Sequence, residues 1–180
     1  MSNNILAVDD EPDLLRLLSR IINDKTSYSI KTTNNSLEVP KILENEEFDL
    51  ILVDLKMPGL DGMDILKMIK DQDRPEQVIM ITAFGTLESA IEALSYGVFD
   101  YITKPFKKEQ ILFTVNRAMR FQKNEKEVKR LKGIFQAVPY ENALEKFKEE
   151  YIRLLKIKYD NDIQKVAEVS GLDEETLKDE

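Results

Sequence analysis

Five short runs rich in Ile, Val and Leu constrain this chain most: Ile5 to Val8, Tyr28 to Thr33, Leu50 to Val53, Val78 to Ile81 and Val98 to Ile102. They are continuous rather than alternating between apolar and polar residues, which is the pattern of parallel strands covered on both faces. Between them lie stretches with helical spacing: Leu14-Leu15-Leu17-Leu18-Ile21-Ile22, Leu37 to Leu43, Met63 to Ile69 and Leu87 to Leu94. Strand starts fall roughly two dozen residues apart, so the pattern predicts five βα units, an α/β fold with a doubly wound five-stranded parallel sheet. Ligands of such sheets bind beyond the carboxyl ends of the strands, and the residues there carry the functional information.

What sits at those ends is acidic and hydroxylic, with one lysine. The first run ends at Asp9-Asp10, the third at Asp54 and the fourth at Thr82, and the fifth leads into Lys104-Pro105. The 180 residues include no His and no Cys, which removes imidazole and thiolate metal sites, Ser-His and Cys-His nucleophile pairs, and disulfides. Clustered carboxylates without His suit a hard cation such as Mg²⁺, held by one or two carboxylates, waters and a phosphate oxygen. Beside such an ion Asp54 could accept a phosphoryl group as an aspartyl phosphate, with Lys104 and the Thr82 hydroxyl bound to its oxygens. Taken singly, each residue has an ordinary structural explanation. Asp9, Asp10 and Glu11 before Pro12 suit a helix start, Asp54 a turn, Thr82 a helix cap, Lys104 a solvated loop and Tyr101 a packed strand. Placed together at successive strand ends, they point to chemistry.

Four segments resemble the receiver domain of bacterial response regulators, as in CheY and the NtrC family. They are Leu6-Ala7-Val8-Asp9-Asp10-Glu11, Val53-Asp54-Leu55-Lys56-Met57-Pro58-Gly59-Leu60-Asp61-Gly62, Ile81-Thr82-Ala83-Phe84-Gly85 and Gly97-Val98-Phe99-Asp100-Tyr101-Ile102-Thr103-Lys104-Pro105-Phe106. The resemblance implies a flavodoxin-like receiver in which Asp54 is the phospho-acceptor and Asp9, Asp10, Asp54 and the Lys56 backbone carbonyl hold Mg²⁺. It further implies that Thr82 and Tyr101 form a switch pair, that Ala83 leaves room for the phosphoryl group, and that the Lys104-Pro105 peptide is cis. The donor would be a histidine kinase or phosphotransfer protein, because this chain has no histidine of its own. Phosphorylation would reshape the face formed by the fourth helix, fifth strand and fifth helix, and hydrolysis would reset it. Beyond that self-phosphorylation and autodephosphorylation, no enzyme activity is expected. Two other families with similar sheets fit less well: Asp-Asp-Glu-Pro after the first strand has the wrong charge to cradle a cofactor phosphate, and it lacks the Asp-x-Asp of haloacid-dehalogenase-like phosphatases.

Charge divides the chain further. Residues 1–104 carry a net −9, residues 105–138 carry +6 and residues 139–180 carry −5. The reading is a receiver over 1–120, a helical linker over 121–138 and a small all-α bundle over 139–180. Phe121, Asn124, Val128, Leu131, Phe135 and Val138 alternate steps of three and four, an a/d seam that predicts a dimerising helix, or else the receiver's last helix running on. Its Lys123, Lys126, Lys129, Arg130 and Lys132 suit nucleic acid or the outer face of a coiled coil equally. Beyond Pro139, one helical pattern runs through Leu144, Phe147, Tyr151, Leu154 and Leu155 and a second through Ile163, Val166 and Ala167 to Gly171, with a third segment from Asp173 to Leu177. The spacing is that of a helix-turn-helix, and the segment resembles a Fis-type DNA-binding domain in degenerate form.

The third segment argues against DNA. Asp173 to Glu180 holds five acids and one Lys, and acids oppose phosphate contact. Either the DNA-binding role has been lost or basic residues lie beyond Glu180. No Gly-x-x-x-x-Gly-Lys-Ser/Thr occurs, so ATP-driven remodelling is not expected of this chain. The output is read as a dimeric protein-interaction module with a downstream protein partner, the alternative being a DNA-binding regulator. Met1-Ser2-Asn3-Asn4 has no basic flank and Asp9 interrupts the following apolar stretch, so neither signal peptide nor membrane contact is expected, and the chain reads as cytoplasmic.

Overall fold

The computed structural model describes residues 3–83, 85–134, 140–174 and 177. Five strands form one parallel sheet: β1 (Asn4–Val8), β2 (Ser29–Thr33), β3 (Leu50–Val53), β4 (Gln77–Thr82) and β5 (Asp100–Thr103), in the order β2-β1-β3-β4-β5. Helices follow each strand: α1 (Pro12–Lys25), α2 (Val39–Asn45) after a 3-10 turn at Ser36–Glu38, α3 (Gly62–Asp71), α4 (Leu87–Ser95) and α5 (Lys108–Ile134). The expected doubly wound α/β sheet is present. β5 begins two residues later than the apolar run, because Val98 turns into the core and Phe99 N–H makes the first bond to the Val78 carbonyl at 2.7 Å.

Successive strand residues face opposite sides, and both sides are covered. Leu6, Val8, Ile51, Val53, Val78 and Met80 pack with Leu43, Leu66 and Ile69 on the α2–α3 side. Ile5, Ala7, Leu50, Leu52, Ile79 and Ile81 pack with Leu18, Ile22, Ile111 and Val115 on the α1–α5 side. Two-sided burial explains why the strands read as unbroken apolar runs.

Two compact units are present, Met1–Glu125 and Lys126–Glu180. The expected boundary at residue 120 falls inside α5, which continues to pack on the first unit. The Phe121 ring lies 5.6 Å from that of Phe99, and Gln122 is buried, accepting from Gln77 Nε2 at 3.1 Å. Of the linker seam, Val128 and Leu131 are exposed, whereas Phe135, Val138 and the Pro139 boundary lie outside the described residues.

The second unit contains α6 (Tyr140–Lys158) and α7 (Ile163–Ser170). Asp162 caps α7 by accepting from Lys165 N–H at 3.2 Å, and Gly171 ends it in the left-handed region at φ +71°. Ile152, Leu155, Val166 and Leu177 form its core. The helical pattern expected through Leu144 to Leu155 is α6, of whose apolar residues Leu155 is buried and Leu144, Phe147, Tyr151 and Leu154 are exposed. The face that meets α7 runs through Ile152, Leu155 and Tyr159, one step around the helix from the stripe that the spacing suggested. No helix among the described residues is long and apolar enough to cross a membrane.

Candidate functional site

Strand register brings distant acids together. β1 and β3 are neighbours with Val8 opposite Val53, so Asp9 and Asp54, each the next residue, leave the sheet side by side. Asp54 N–H donates to the Val8 carbonyl at 3.0 Å and Asp9 N–H to the Thr33 carbonyl at 3.3 Å, which anchors both backbones to adjacent strands. At the other side of β3, Thr82 pairs with Thr103, and Lys104 N–H donates to the Thr82 carbonyl at 2.8 Å. The Lys104-Pro105 peptide is cis, as expected.

These strand ends converge on one ammonium group. Lys104 Nζ lies 2.8 Å from Asp9 Oδ2, 3.0 Å from Asp54 Oδ1 and 3.3 Å from Glu11 Oε1. The remaining oxygens are also engaged: Asp9 Oδ1 accepts from Glu11 N–H at 2.9 Å, and Asp54 Oδ2 from Lys56 N–H at 2.8 Å. Asp9 and Asp54 are buried, Lys104 is largely so, and Asp10 and Lys56 are exposed. Thr82 is fully buried, and Ala83 is exposed beside it. Tyr101 is half-buried, with its hydroxyl 3.0 Å from Ser89 Oγ, and Phe84 lies outside the described residues.

Burial is the largest influence on Asp9 and raises its pKa above the ordinary 3.8, against the lowering effect of Lys104. Burial also acts to lower the pKa of Lys104, but hydrogen bonds to Asp9 and Asp54 outweigh it, and the net direction is upward from 10.5. A carboxyl with a raised pKa favours the folded state while protonated, and that contribution is lost as pH rises from 3.8 through the raised value. Conversely, Lys104 contributes stability below pH 10.5 that is lost as pH rises through its raised value.

Among the described residues, no three His, Cys, Asp or Glu side chains are placed to hold one metal ion. The Asp9–Asp54 pair nevertheless fits Mg²⁺. Both acids approach one cation within 3.0 Å, their donors are oxygens, and Mg²⁺ commonly uses one or two carboxylates with water and phosphate completing its shell. Mg²⁺ at one hundred times its Kd is expected to stabilise the folded state by about 2.7 kcal/mol. Asp9→Asn is expected to raise the melting temperature without metal, because it removes a buried charge, and to shrink the Mg²⁺ increment. Differential scanning fluorimetry with and without EDTA checks both, and an undiminished increment in Asp9→Asn would count against Asp9 as a ligand.

Three supports were not apparent from the sequence. Glu11 joins the lysine cluster. Ser36 Oγ donates to the Pro58 carbonyl at 2.6 Å and accepts from Leu60 N–H at 2.9 Å, bracing the loop after Asp54. Gly62 packs so closely on β3 that a Cβ there would lie 2.5 Å from the Asp54 carbonyl oxygen. Glu11 read from the sequence as part of a helix start, and nothing in the spacing showed that Gly62 would meet the Asp54 backbone.

Two buried carboxylates and a lysine at the carboxyl edge of a five-stranded parallel sheet define a flavodoxin-like α/β domain with its centre at the topological switch point. The chain belongs to the response regulator receiver domain family, whose model matches residues 5–116. It is 34% identical over 129 residues to the regulatory protein AtoC of Escherichia coli, covering 72% of this chain and 28% of that protein. It is 37% identical over 122 residues to the response regulator protein PilR of Pseudomonas aeruginosa, covering 68% and 27%. The chain thus spans little more than a quarter of the length of these curated relatives. Among solved structures, the beryllofluoride-activated NtrC4 receiver domain dimer matches at TM-score 0.63 and 30% identity, covering 67% of this chain and 98% of that one. NtrX from Brucella abortus matches at TM-score 0.67 and 29% identity, covering 86% and 35%. Receiver domains of this family act in phosphorylation-based two-component signalling and generally bind Mg²⁺ at the phosphorylation site.

Proposed function

We propose that this chain is a phosphorylation-switched response regulator acting in the cytoplasm, with Asp54 as phospho-acceptor. The observation that carries the reading is the convergence of Asp9 and Asp54 on Lys104 at 2.8 and 3.0 Å. A carboxylate oxygen of Asp54 forms the new O–P bond while the P–N bond of a phosphohistidine on a partner kinase or phosphotransfer protein breaks, and the departing imidazole takes up a proton. Lys104 moves from the Asp54 carboxylate to the phosphoryl oxygens, keeping its bond to Asp9, and the Thr82 hydroxyl donates to a further oxygen. Asp9 and Asp54 would hold Mg²⁺, with Asp10 and the Lys56 carbonyl joining them on metal binding, and the ion would neutralise phosphoryl charge. Tyr101 follows Thr82 inward, and the population of two receiver states shifts.

The output is a homodimer that offers the second unit to a downstream protein. Arg130, one of the basic linker residues, is ion-paired with Glu127 and Glu150, and Arg153 lies 3.3 Å from Glu150. These two arginines are thus already matched by acids, although Lys123, Lys129 and Lys132 stay exposed. The alternative is a DNA-binding regulator of Fis type, supported by the α6–α7 pair with its left-handed Gly171 and by likeness to a relative named DNA-binding transcriptional regulator NtrC, from Proteus hauseri. Electrophoretic titration against random duplex DNA at low salt separates them. Retention only above micromolar concentration is expected, and tighter binding lost on adding salt would establish the alternative.

A further inference from the structure

Ser89, in the first turn of α4, has a hydroxyl that serves two elements. It donates to the Thr86 carbonyl at 3.0 Å and accepts from Thr86 N–H at 3.1 Å, while Ser89 N–H donates to Thr86 Oγ1 at 3.1 Å. The same oxygen lies 3.0 Å from the Tyr101 hydroxyl on β5. A serine hydroxyl has one proton and two lone pairs. Thr86 Oγ1 also donates to the Ser89 oxygen at 3.3 Å, and either the Ser89 or the Tyr101 hydroxyl can supply the proton of the bond between them.

Two further features make that bond consequential. α4 buries only Ala93, with Leu87, Ile91 and Leu94 exposed, whereas α3 buries Met63, Ile65, Leu66 and Ile69. A helix with so little apolar anchorage lies at the low end of local stability, and a single bond is a large share of what positions it. The Tyr101 ring also needs Gly85, where a Cβ would come within 3.2 Å of Tyr101 Cε1 and 3.0 Å of Thr103 Cγ2. The ring therefore rests on bare backbone between Gly85 and Ser89.

We propose that Ser89 is a positioning residue of the switch, its hydroxyl latching Tyr101 against Gly85 and tying the N-terminus of α4 to β5 in the unphosphorylated state. This rests on the reading of Thr82 and Tyr101 as the switch pair. Inward movement of Tyr101 breaks the Ser89 bond and leaves Ser89 serving only the helix cap, so the motion of one ring frees the start of α4. The latch lowers the population of the phosphoryl-competent state and with it the apparent affinity for a phosphoryl mimic.

The test uses the 180-residue chain with Mg²⁺ and beryllofluoride, titrated against wild type, Ser89→Ala, Tyr101→Phe, the double variant and Ser89→Thr. Loss of one hydrogen bond is expected to tighten apparent binding about threefold to tenfold in Ser89→Ala and in Tyr101→Phe. Tyr101→Phe leaves the helix cap intact and so separates latch from cap. The double variant should bind no tighter than either single, and Ser89→Thr, which keeps the hydroxyl, should match wild type. In both unliganded single variants the α4 amide resonances should move part of the way toward their positions in the bound wild type. Unchanged affinity, additive effects, or resonances displaced in unrelated directions would overturn the latch while saturable binding still upheld the phosphorylation reading. Failure of the wild type to bind at all would overturn that reading, and the latch with it.

Discussion

Asp54→Asn is expected to lose all labelling by a small-molecule phosphodonor in the presence of Mg²⁺. Labelling requires a carboxylate oxygen as nucleophile, and the amide has neither the charge nor a free nucleophilic oxygen. The fold should survive. The Asn oxygen can still accept the Lys56 N–H that Asp54 accepts at 2.8 Å, Lys104 keeps Asp9 at 2.8 Å and Glu11 at 3.3 Å, and one buried negative charge is removed. A far-ultraviolet circular dichroism spectrum matching wild type, with no label retained on the denatured protein, is the expected pair of results. Stoichiometric label on the variant would place the acceptor elsewhere.

Gly62→Ala is expected to destabilise the domain by about 1 to 3 kcal/mol or more, as overpacking against a structure that cannot yield does. Helix propensity alone predicts the opposite sign, a gain of up to about 1 kcal/mol for Ala over Gly. Sterics decide it. The added Cβ would lie 2.5 Å from the Asp54 carbonyl oxygen and 3.0 Å from Leu55 Cα, and both are backbone atoms of the strand end that carries the acceptor. Relief requires moving α3 or that strand end, although the Asp61–Asp64 capping box that starts α3 is untouched by the substitution. The change should therefore also slow labelling of Asp54. Urea denaturation checks the first effect, and a midpoint at or above that of wild type would show that the loop relaxes freely.

Much of the receiver was legible because two local signals agreed. The apolar runs marked strands buried on both faces, and the residues ending them, Asp9, Asp54, Thr82 and Lys104, each ordinary alone, together made a set that strand ends do not require. Their mutual distances were not legible. Asp9 meets Asp54 only because β1 and β3 are neighbours in a register that pairs Val8 with Val53, a fact of tertiary assembly. The same holds for Ser36, Gly62 and Ser89, whose importance lies in what they touch. In α6, apolar residues occupy two adjacent faces, and spacing cannot say which one α7 will cover. Ile152 and Leu155 went inward, and Leu144, Phe147, Tyr151 and Leu154 stayed exposed. Phe121 read as part of a dimer seam because its spacing fits one, yet its ring stacks at a tilt on Phe99.

On the reading proposed above, Asp54 accepts the phosphoryl group at a centre built from Asp9 and Lys104. The most direct test of that reading is peptide mass spectrometry of the wild-type chain after reaction with phosphodonor and Mg²⁺, with the acyl phosphate trapped by borohydride reduction. The expected result is a single modified residue, Asp54, with no modification when Mg²⁺ is removed by EDTA. Modification at another residue, or none at Asp54 in the presence of Mg²⁺, would contradict it.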